Sequence, residues 1–408
     1  MNYNFPNKTM NSPISEIRLA LEKMASMPNC ISFGIGNPAP EAIPEDEIVT
    51  TIKEIIADNP MKILQYGPFS GYKPLADYTL DTLINYLGLK QDDNSLTFLN
   101  GSGHGLGLMP RAFCNEGDVV FADEFTFPNG INAARAVGCV VKSIKMDEYG
   151  MIPTELEKAI LSSNGKGRYI YIIPNFQNPT GLTIPLERRK VIYDIASKHN
   201  LLIYEDDPYG AIRFSGKQVP AFKSLDIDGR VIFAGSYSKV LSAGLRVGYL
   251  YGHNSLISKI AALKASSDGQ MPIFNQMIVY HTLEKLDYKP YIQSICDTYG
   301  KKCKIMVDAL TKYCHPDFTF KEPEGGMFLW LNLPHYINPI DFVDKCLEND
   351  VCVITSKGFA TEPEKNIGHS LRLNYTAISD ENIDEGIKRL GKASYDIITS
   401  YNKYMLVN

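Results

Sequence analysis

Gly235-Ser236-Tyr237-Ser238-Lys239, with Gly244-Leu245-Arg246-Val247-Gly248-Tyr249 just beyond it, decides how this chain is read. The apolar run that leads into it, RVIFAG at 230–235, has the character of a buried strand. Side chains that follow such a strand emerge at the carboxyl end of the sheet, where open α/β sheets bind their ligands. At that end one lysine stands among two serines, an arginine and several glycines. Ser236 and Ser238 offer hydroxyl donors and Arg246 a planar charged fork, a set that suits a phosphate. Positive charge beside Lys239 should lower its pKa and favour the neutral, nucleophilic amine. Taken singly, each residue has a plainer reading: a lysine after a strand is usually a solvated charge, and Gly-Leu-Arg is usually a turn. Together they describe an amine nucleophile next to an anion site.

The same rhythm of short apolar strand and amphipathic helix extends in both directions. Strands are expected at 118–122, 139–144, 168–175 and 201–206, and a helix over about 186–199. This alternation predicts an α/β fold with a mostly parallel sheet between helices. After about residue 290 the texture changes. A long helix is expected at about 290–312, strands at 318–321, 326–332, 351–355 and 370–375, and helices at about 338–349 and 380–400, the last capped by Ser379. The organisation expected is therefore an N-terminal arm over 1–40 with a helix near 13–26, a large domain over 41–290 and a smaller α+β domain over 291–408.

Two other polar sets fall at the same sheet edge. Asn178 opens the turn NPTG, and Asp206 ends the strand LLIYED, with Asp207 and Tyr209 just beyond it. The 28 residues from Asn178 to Asp206, and the 33 from Asp206 to Lys239, each hold one helix and one strand, so all three residues arrive at one edge. Along an extended strand Asp206 and Asp207 point to opposite faces, so only one of them reaches a given ligand. Gly101-Ser102-Gly103-His104-Gly105-Leu106-Gly107 matches neither GxGxxG nor a P-loop. It has the character of a backbone-amide cradle opening a helix.

Composition narrows the classes. A formal net charge of −5 and a pI near 5.9 argue against a nucleic-acid partner. No run approaches the roughly 18 apolar residues of a membrane span, and the N-terminus MNYNFPNKTM lacks an apolar signal core. The eight scattered cysteines form no CxxC pair, and the seven histidines show no metal-ligand spacing. A cytoplasmic protein with reduced thiols and no bound metal is the expectation.

The segment SYSKVLSAGLRVGY resembles the lysine segment of fold-type-I enzymes that use pyridoxal 5′-phosphate (PLP). More narrowly, it is similar to the class I/II aminotransferases of the 2-aminoadipate and kynurenine group and to the aminotransferase domain of MocR-type regulators. The resemblance spans about residues 12–400. It implies that Lys239 carries PLP as a Schiff base, that Asn178 and Tyr209 contact its phenolic oxygen, and that Asp206 pairs with its ring nitrogen. It gives Ser102, Gly103, His104, Ser236, Ser238 and Arg246 to the phosphate, and Phe127 to the face of the ring, where an ordinary core phenylalanine is the competing reading. His104 departs from the glutamine-type residue common at its place. Arg372, in SLRLNYT, corresponds to the arginine that holds the substrate carboxylate, with Gly36 and Asn178 beside it. Tyr66 corresponds to a residue that reaches the phosphate of a second subunit, which implies a homodimer with shared sites. The relatives that prefer acidic side chains carry an arginine after Ser-Pro-Ile. Here Ser15 stands at that place and Arg18 lies nearly one turn on, so a strict acidic preference is not expected.

The activity implied is ping-pong transfer of an amino group from an L-amino acid to a 2-oxo acid. Two other readings share the same motifs: a PLP-dependent lyase, decarboxylase or racemase on the same scaffold, and a PLP-binding regulatory module. The regulators place a DNA-binding domain ahead of this one. Only about 30 residues precede FGIGNP here, which weighs against the module.

Overall fold

The run that leads into Lys239 is the sixth strand, in chain order, of a seven-stranded sheet. The computed structural model describes residues 27, 29–89, 92–365 and 368–407. The helix expected near 13–26, Ser15 and Arg18 lie outside the described residues. The strands are β1 (Asn94–Asn100), β2 (Val119–Asp123), β3 (Val140–Ile144), β4 (Gly167–Ile172), β5 (Leu202–Asp206), β6 (Val231–Ser236) and β7 (Val247–His253). Their order across the sheet is β1-β7-β6-β5-β4-β2-β3. Only β7 runs against its neighbours; the pairs β2–β3, β2–β4, β4–β5 and β5–β6 are parallel.

Parallel strands covered on both faces read as continuous apolar runs. All of β2, VVFAD, and all of β6, VIFAGS, are buried. Alternate residues of each strand enter different cores, as a period of two requires. Val120, Tyr171, Tyr204 and Ala234 join one cluster, whereas Phe121, Ile172, Ile203 and Val231 join the other. The covering helices include α1 (Glu45–Asp58), α2 (Lys73–Leu87), α3 (Ser102–Phe113), α4 (Pro128–Ala136), α5 (Pro153–Ser162), α6 (Leu186–Lys198), α7 (Asn254–Asp268) and α8 (Ile273–Lys285).

A second sheet follows the long helix α9 (Tyr288–Tyr313). Its strands are β8 (Thr319–Phe320), β9 (Phe328–Asn332), β10 (Ile354–Thr355) and β11 (Ser370–Asn374), ordered β8-β9-β11-β10 and all antiparallel. Helices α10 (Pro339–Glu348) and α11 (Asp380–Val407) pack beside it. Ser379 Oγ accepts from Asn382 N at 3.3 Å, the N-cap expected for α11. The strand expected at 351–355 is split at Val353. Val351–Cys352 pairs in parallel with Ile31–Ser32, and Ile354–Thr355 pairs with β11. The chain's early residues are thereby stitched to its late ones: Phe33 N donates to Cys352 O at 3.0 Å, and Asn374 N donates to Phe33 O at 2.9 Å. All eight cysteines are free thiols, six of them buried.

Candidate active site

The turn after β6 brings Lys239 to the carboxyl edge, where its Nζ donates to Gly36 O at 2.9 Å. Desolvation of the amine, then the charges of Arg372 and Arg246, bring its pKa down to about 8. The sequence expectation of a lowered lysine pKa thus holds, with burial rather than charge as the larger cause.

The anion cradle is built by close approach. Gly101 caps α3 at φ 73° and ψ 162°, a region essentially reserved for glycine. A Cβ there would lie 2.1 Å from Arg246 Nη2, because the arginine lies across it. A Cβ on Gly248 would lie 2.8 Å from Ser102 N, so β7 also presses against this turn. Arg246 itself takes φ 53°, and its Nη1 donates to Ala243 O at 3.1 Å and to Ser238 Oγ at 3.3 Å. Ser236 Oγ accepts from Ser238 N at 3.1 Å. The first N–H groups of α3 have no partner within the helix and carry the positive end of its dipole. Arg246, two serine hydroxyls and a helix start thus converge next to Lys239.

Asp206 ends β5 and is buried at 3% exposure. Tyr171 OH, from β4, donates to its Oδ2 at 2.9 Å, while Oδ1 is buried without a hydrogen-bond partner. Burial pushes the carboxyl up to about 7, and the like charge of Asp207 adds to this. A cation placed against Oδ1 would reverse both effects. Asp207 turns elsewhere: its Oδ2 accepts from Asn175 Nδ2 at 2.8 Å. The two acids therefore serve different neighbours, as their alternation predicts.

Asn178 follows β4 on the strap 174–184 and joins Pro179 through a cis peptide bond. Its Oδ1 accepts from Arg372 Nη1 at 2.9 Å. Arg372, on β11, is 3% exposed. Its Nη2 donates to Gly34 O, and its Nε is buried without a partner. The guanidinium is flanked by the rings of Phe328, at 4.5 Å, and Phe359, at 4.6 Å. Burial brings its pKa down to about 10, still a cation at neutral pH. Gly36 lies under the same group, where a Cβ would meet the Phe328 ring at 3.4 Å and Arg372 Nη1 at 4.0 Å. Lys239, Gly36, Arg372 and Asn178 thus lie together, and Tyr209 joins them through the Phe328 ring, 5.8 Å between centroids.

Three candidates stand apart from this network. The His104 ring is held by Asn100 N at 3.5 Å and faces Asp268 at 3.9 Å, and burial lowers its pKa. Phe127 is half-buried at the N-cap of α4, beyond the end of β2. Tyr66 is 93% exposed. The structure also brings in residues that sequence reasoning passed over. Gln177 Nε2 donates to Asp123 Oδ2 at 2.6 Å and to Phe125 O at 3.1 Å, tying the strap to the end of β2. Polar residues closing an apolar strand, as Asp123 closes VVFAD, were the available signal.

A buried carboxylate with a bare oxygen, a helix start beside Arg246 and two serine hydroxyls, and an amine of lowered pKa fit PLP, an anionic phosphate ester with a protonatable ring nitrogen and an aldehyde. The family model for aminotransferase class I and II matches residues 28–390. This chain belongs to that family.

The aminotransferase is 32% identical to aromatic-amino-acid aminotransferase 1 of Thermococcus litoralis, over 95% of this chain and 93% of the relative. It is 31% identical to 2-aminoadipate transaminase of Thermus thermophilus, over 91% and 92% of the two chains. Among solved structures it resembles kynurenine aminotransferase of Pyrococcus horikoshii, with a TM-score of 0.90 and 31% identity, covering 96% and 97% of the two chains. The α-aminoadipate aminotransferase of Thermus thermophilus, complexed with N-(5′-phosphopyridoxyl)-L-leucine, superimposes with a TM-score of 0.86 at 29% identity, over 97% and 98%. The fold is that of fold-type-I aminotransferases, and the enzyme is a PLP-dependent transaminase acting on amino acids.

Proposed function

We propose that this aminotransferase takes its amino group from an L-amino acid with an aromatic or long apolar side chain and passes it to a 2-oxo acid. The observation that carries this reading is the guanidinium of Arg372 held between Phe328 and Phe359, in the same contact network as Lys239. A carboxylate bound there brings its side chain among aromatic rings. The relatives active on aromatic amino acids and on kynurenine support the assignment.

Each residue then has a role. Arg372, with Asn178, grips the substrate α-carboxylate through a two-pronged charged contact. Lys239 holds the cofactor covalently until an amine displaces it. PLP, when bound, draws electrons away from the substrate Cα. The freed Nζ of Lys239 takes the Cα proton as a general base and later returns it as an acid, a task suited to a pKa near 8. Asp206 holds a proton on the ring nitrogen through its bare Oδ1. Asn178 and Tyr209 fix the phenolic oxygen. Arg246, Ser236, Ser238 and the amides of Ser102 and Gly103 hold the phosphate, and Phe127 covers the ring face. His104 serves the same loop from behind, through Asn100.

The site is completed by a second copy of this chain. Met61, Leu64, Tyr66 and Phe69 are 53 to 93% exposed on one short stretch, an apolar patch that a homodimer would cover, with Tyr66 reaching the partner's phosphate site. The large body over 41–290 and the small one over 291–408 form the two lips of each site, and the described part of the early chain joins the small one, a reading supported by the pairing of Ile31–Ser32 with Val351–Cys352. No helix among the described residues is long and apolar enough to cross a membrane. A cytoplasmic setting, with no membrane or nucleic-acid partner, suits this role and the chain's net charge of −5.

The test is spectroscopic. Purified enzyme with PLP should show a visible band that converts to the pyridoxamine form when an aromatic or apolar donor is added without a 2-oxo acid. Lys239→Ala should lack both the band and the conversion. Conversion by acidic donors alone would reject the proposed side-chain class.

A further inference from the structure

Strand β5 ends in Glu205-Asp206 and Asp207 follows it, and all three acids are buried, at 0, 3 and 8% exposure. Three enclosed carboxyls in a row are costly unless cations or donors answer them. Glu205 accepts from Phe222 N and Lys223 N, both at 2.8 Å. Asp207 accepts from Asn175. Asp206 has only Tyr171 OH.

One fully buried guanidinium lies behind them. Arg189, on α6, has 0% exposure. Its Nε donates to Ile184 O at 2.8 Å, its Nη1 to Pro220 O at 3.0 Å, and its Nη2 to Pro174 O at 3.0 Å and to Asn175 Oδ1 at 2.6 Å. Asn175 passes this contact on, since its Nδ2 donates to Asp207. The chain of bonds therefore ties both ends of the strap 174–184 to the turn that begins at Asp207. It also reaches the 220–223 segment that answers Glu205. The charge of Arg189 acts on Glu205 and Asp207. Among the described residues no salt bridge reaches any of the three acids, and Asp206 and Asp207 each keep one buried Oδ1 without a hydrogen-bond partner.

We infer that Arg189, acting through Asn175, is a positioning residue for the transamination. It holds the turn carrying Asp206 and Tyr209 in register with the strap carrying Asn178. This rests on the roles proposed above for Asp206 and Asn178. Arg189 touches neither cofactor nor substrate in this account.

A double-mutant cycle on the PLP-loaded enzyme tests it. Asn175→Leu cuts the link and keeps Arg189's three carbonyl partners. Asp207→Asn removes the charge at the far end. Each should slow the half-reaction with saturating donor by about tenfold or more, the loss expected for one charged hydrogen bond. The double variant should be no slower than the slower single, because both break one chain. Thermal midpoints, measured in parallel, should fall by only a few degrees. If the two slowing factors multiply, or if only the midpoints fall, Arg189 is a fold element and the inference is wrong. Should Asn175→Leu not fold, Asn175→Ser takes its place in the cycle. Asp206→Asn alone reports on the assignment beneath: if it leaves the half-reaction intact, that assignment falls and this inference with it. A slowed Asp206→Asn beside a multiplicative cycle overturns the inference only.

Discussion

Replacing Gly101 by alanine should weaken cofactor binding by an order of magnitude or more while lowering the thermal midpoint by only a few degrees. Gly101 sits at φ 73° and ψ 162°. A side chain in that region costs about 1–3 kcal/mol. The new Cβ would lie 2.1 Å from Arg246 Nη2 and 2.7 Å from its Cζ, well inside van der Waals contact. Arg246 is exposed and its guanidinium is the flexible end, so the arginine gives way rather than the backbone. Its charged bond to a phosphate is worth about 1.5–3 kcal/mol. Losing it should weaken PLP binding by roughly 10- to 150-fold, at about 1.4 kcal/mol per decade. The thermal midpoint of the apoenzyme should drop by only a few degrees, since each kcal/mol shifts a chain of this size by about 2–4 °C or less. Titration of apoenzyme with PLP, followed by the visible band, gives the first quantity, and calorimetry the second. Wild-type PLP affinity in Gly101→Ala would show that Arg246 does not hold the phosphate.

Further expectations follow from the same contacts. Arg372→Lys keeps a cation but loses the planar fork between two rings; donor KM should rise by about 10²-fold or more with PLP affinity little changed, and parallel losses of both would refute a substrate role. Lys239 has a folded pKa near 8 against a usual 10.5, so the folded apoenzyme binds fewer protons than the unfolded chain between those values. Its contribution therefore rises with pH from about 8 to 10.5 and is unfavourable below 8. Lys239→Met should accordingly make the apoenzyme more stable at pH 7, by roughly 1–3 kcal/mol in denaturant unfolding, with the gain shrinking toward pH 10; a less stable variant contradicts the desolvated amine. Met61→Asp and Leu64→Asp, placed in the exposed apolar patch, should shift the enzyme toward monomer in sedimentation and lower its PLP retention, whereas unchanged sedimentation places the subunit interface elsewhere.

What the sequence disclosed, and what it hid, follows from the range of the interactions involved. Strands β2, β4, β5 and β6 were legible because burial on both faces leaves unbroken apolar runs, and because the polar residues ending β5 and β6 fall at the same edge. Strand β7 was read only as a glycine-rich motif. Gly248 and Gly252 look like turn residues, yet Gly248 is small because Ser102 N would lie 2.8 Å from its Cβ. Helices α7 and α8 drew no expectation: the one stripe that α7 buries is short and includes a lysine, Ile257, Ile260 and Lys264, whereas α8 buries residues around several of its faces. Asn178, Asp206 and Lys239 were named through their spacing and a motif resemblance, and Arg372 through the resemblance alone. Asn175, Arg189 and Gln177 escaped because their meaning lies in partners 14 to 54 residues away. His104 was offered to the phosphate only through the resemblance, and its ring lies beside Asn100 and Asp268.

The bonds from Gly36 to Lys239 and from Gly34 to Arg372 join residues 203 and 338 positions apart. A ribosome has to complete nearly the whole chain before both can form. A nascent chain ending before β11 already holds the lysine, the glycine turn and Arg246, but has nothing with which to grip a carboxylate. On the role proposed for Arg372, the ability to choose a substrate is acquired last in the life of each molecule. A chain truncated late in its sequence would be expected to capture the cofactor and turn over nothing.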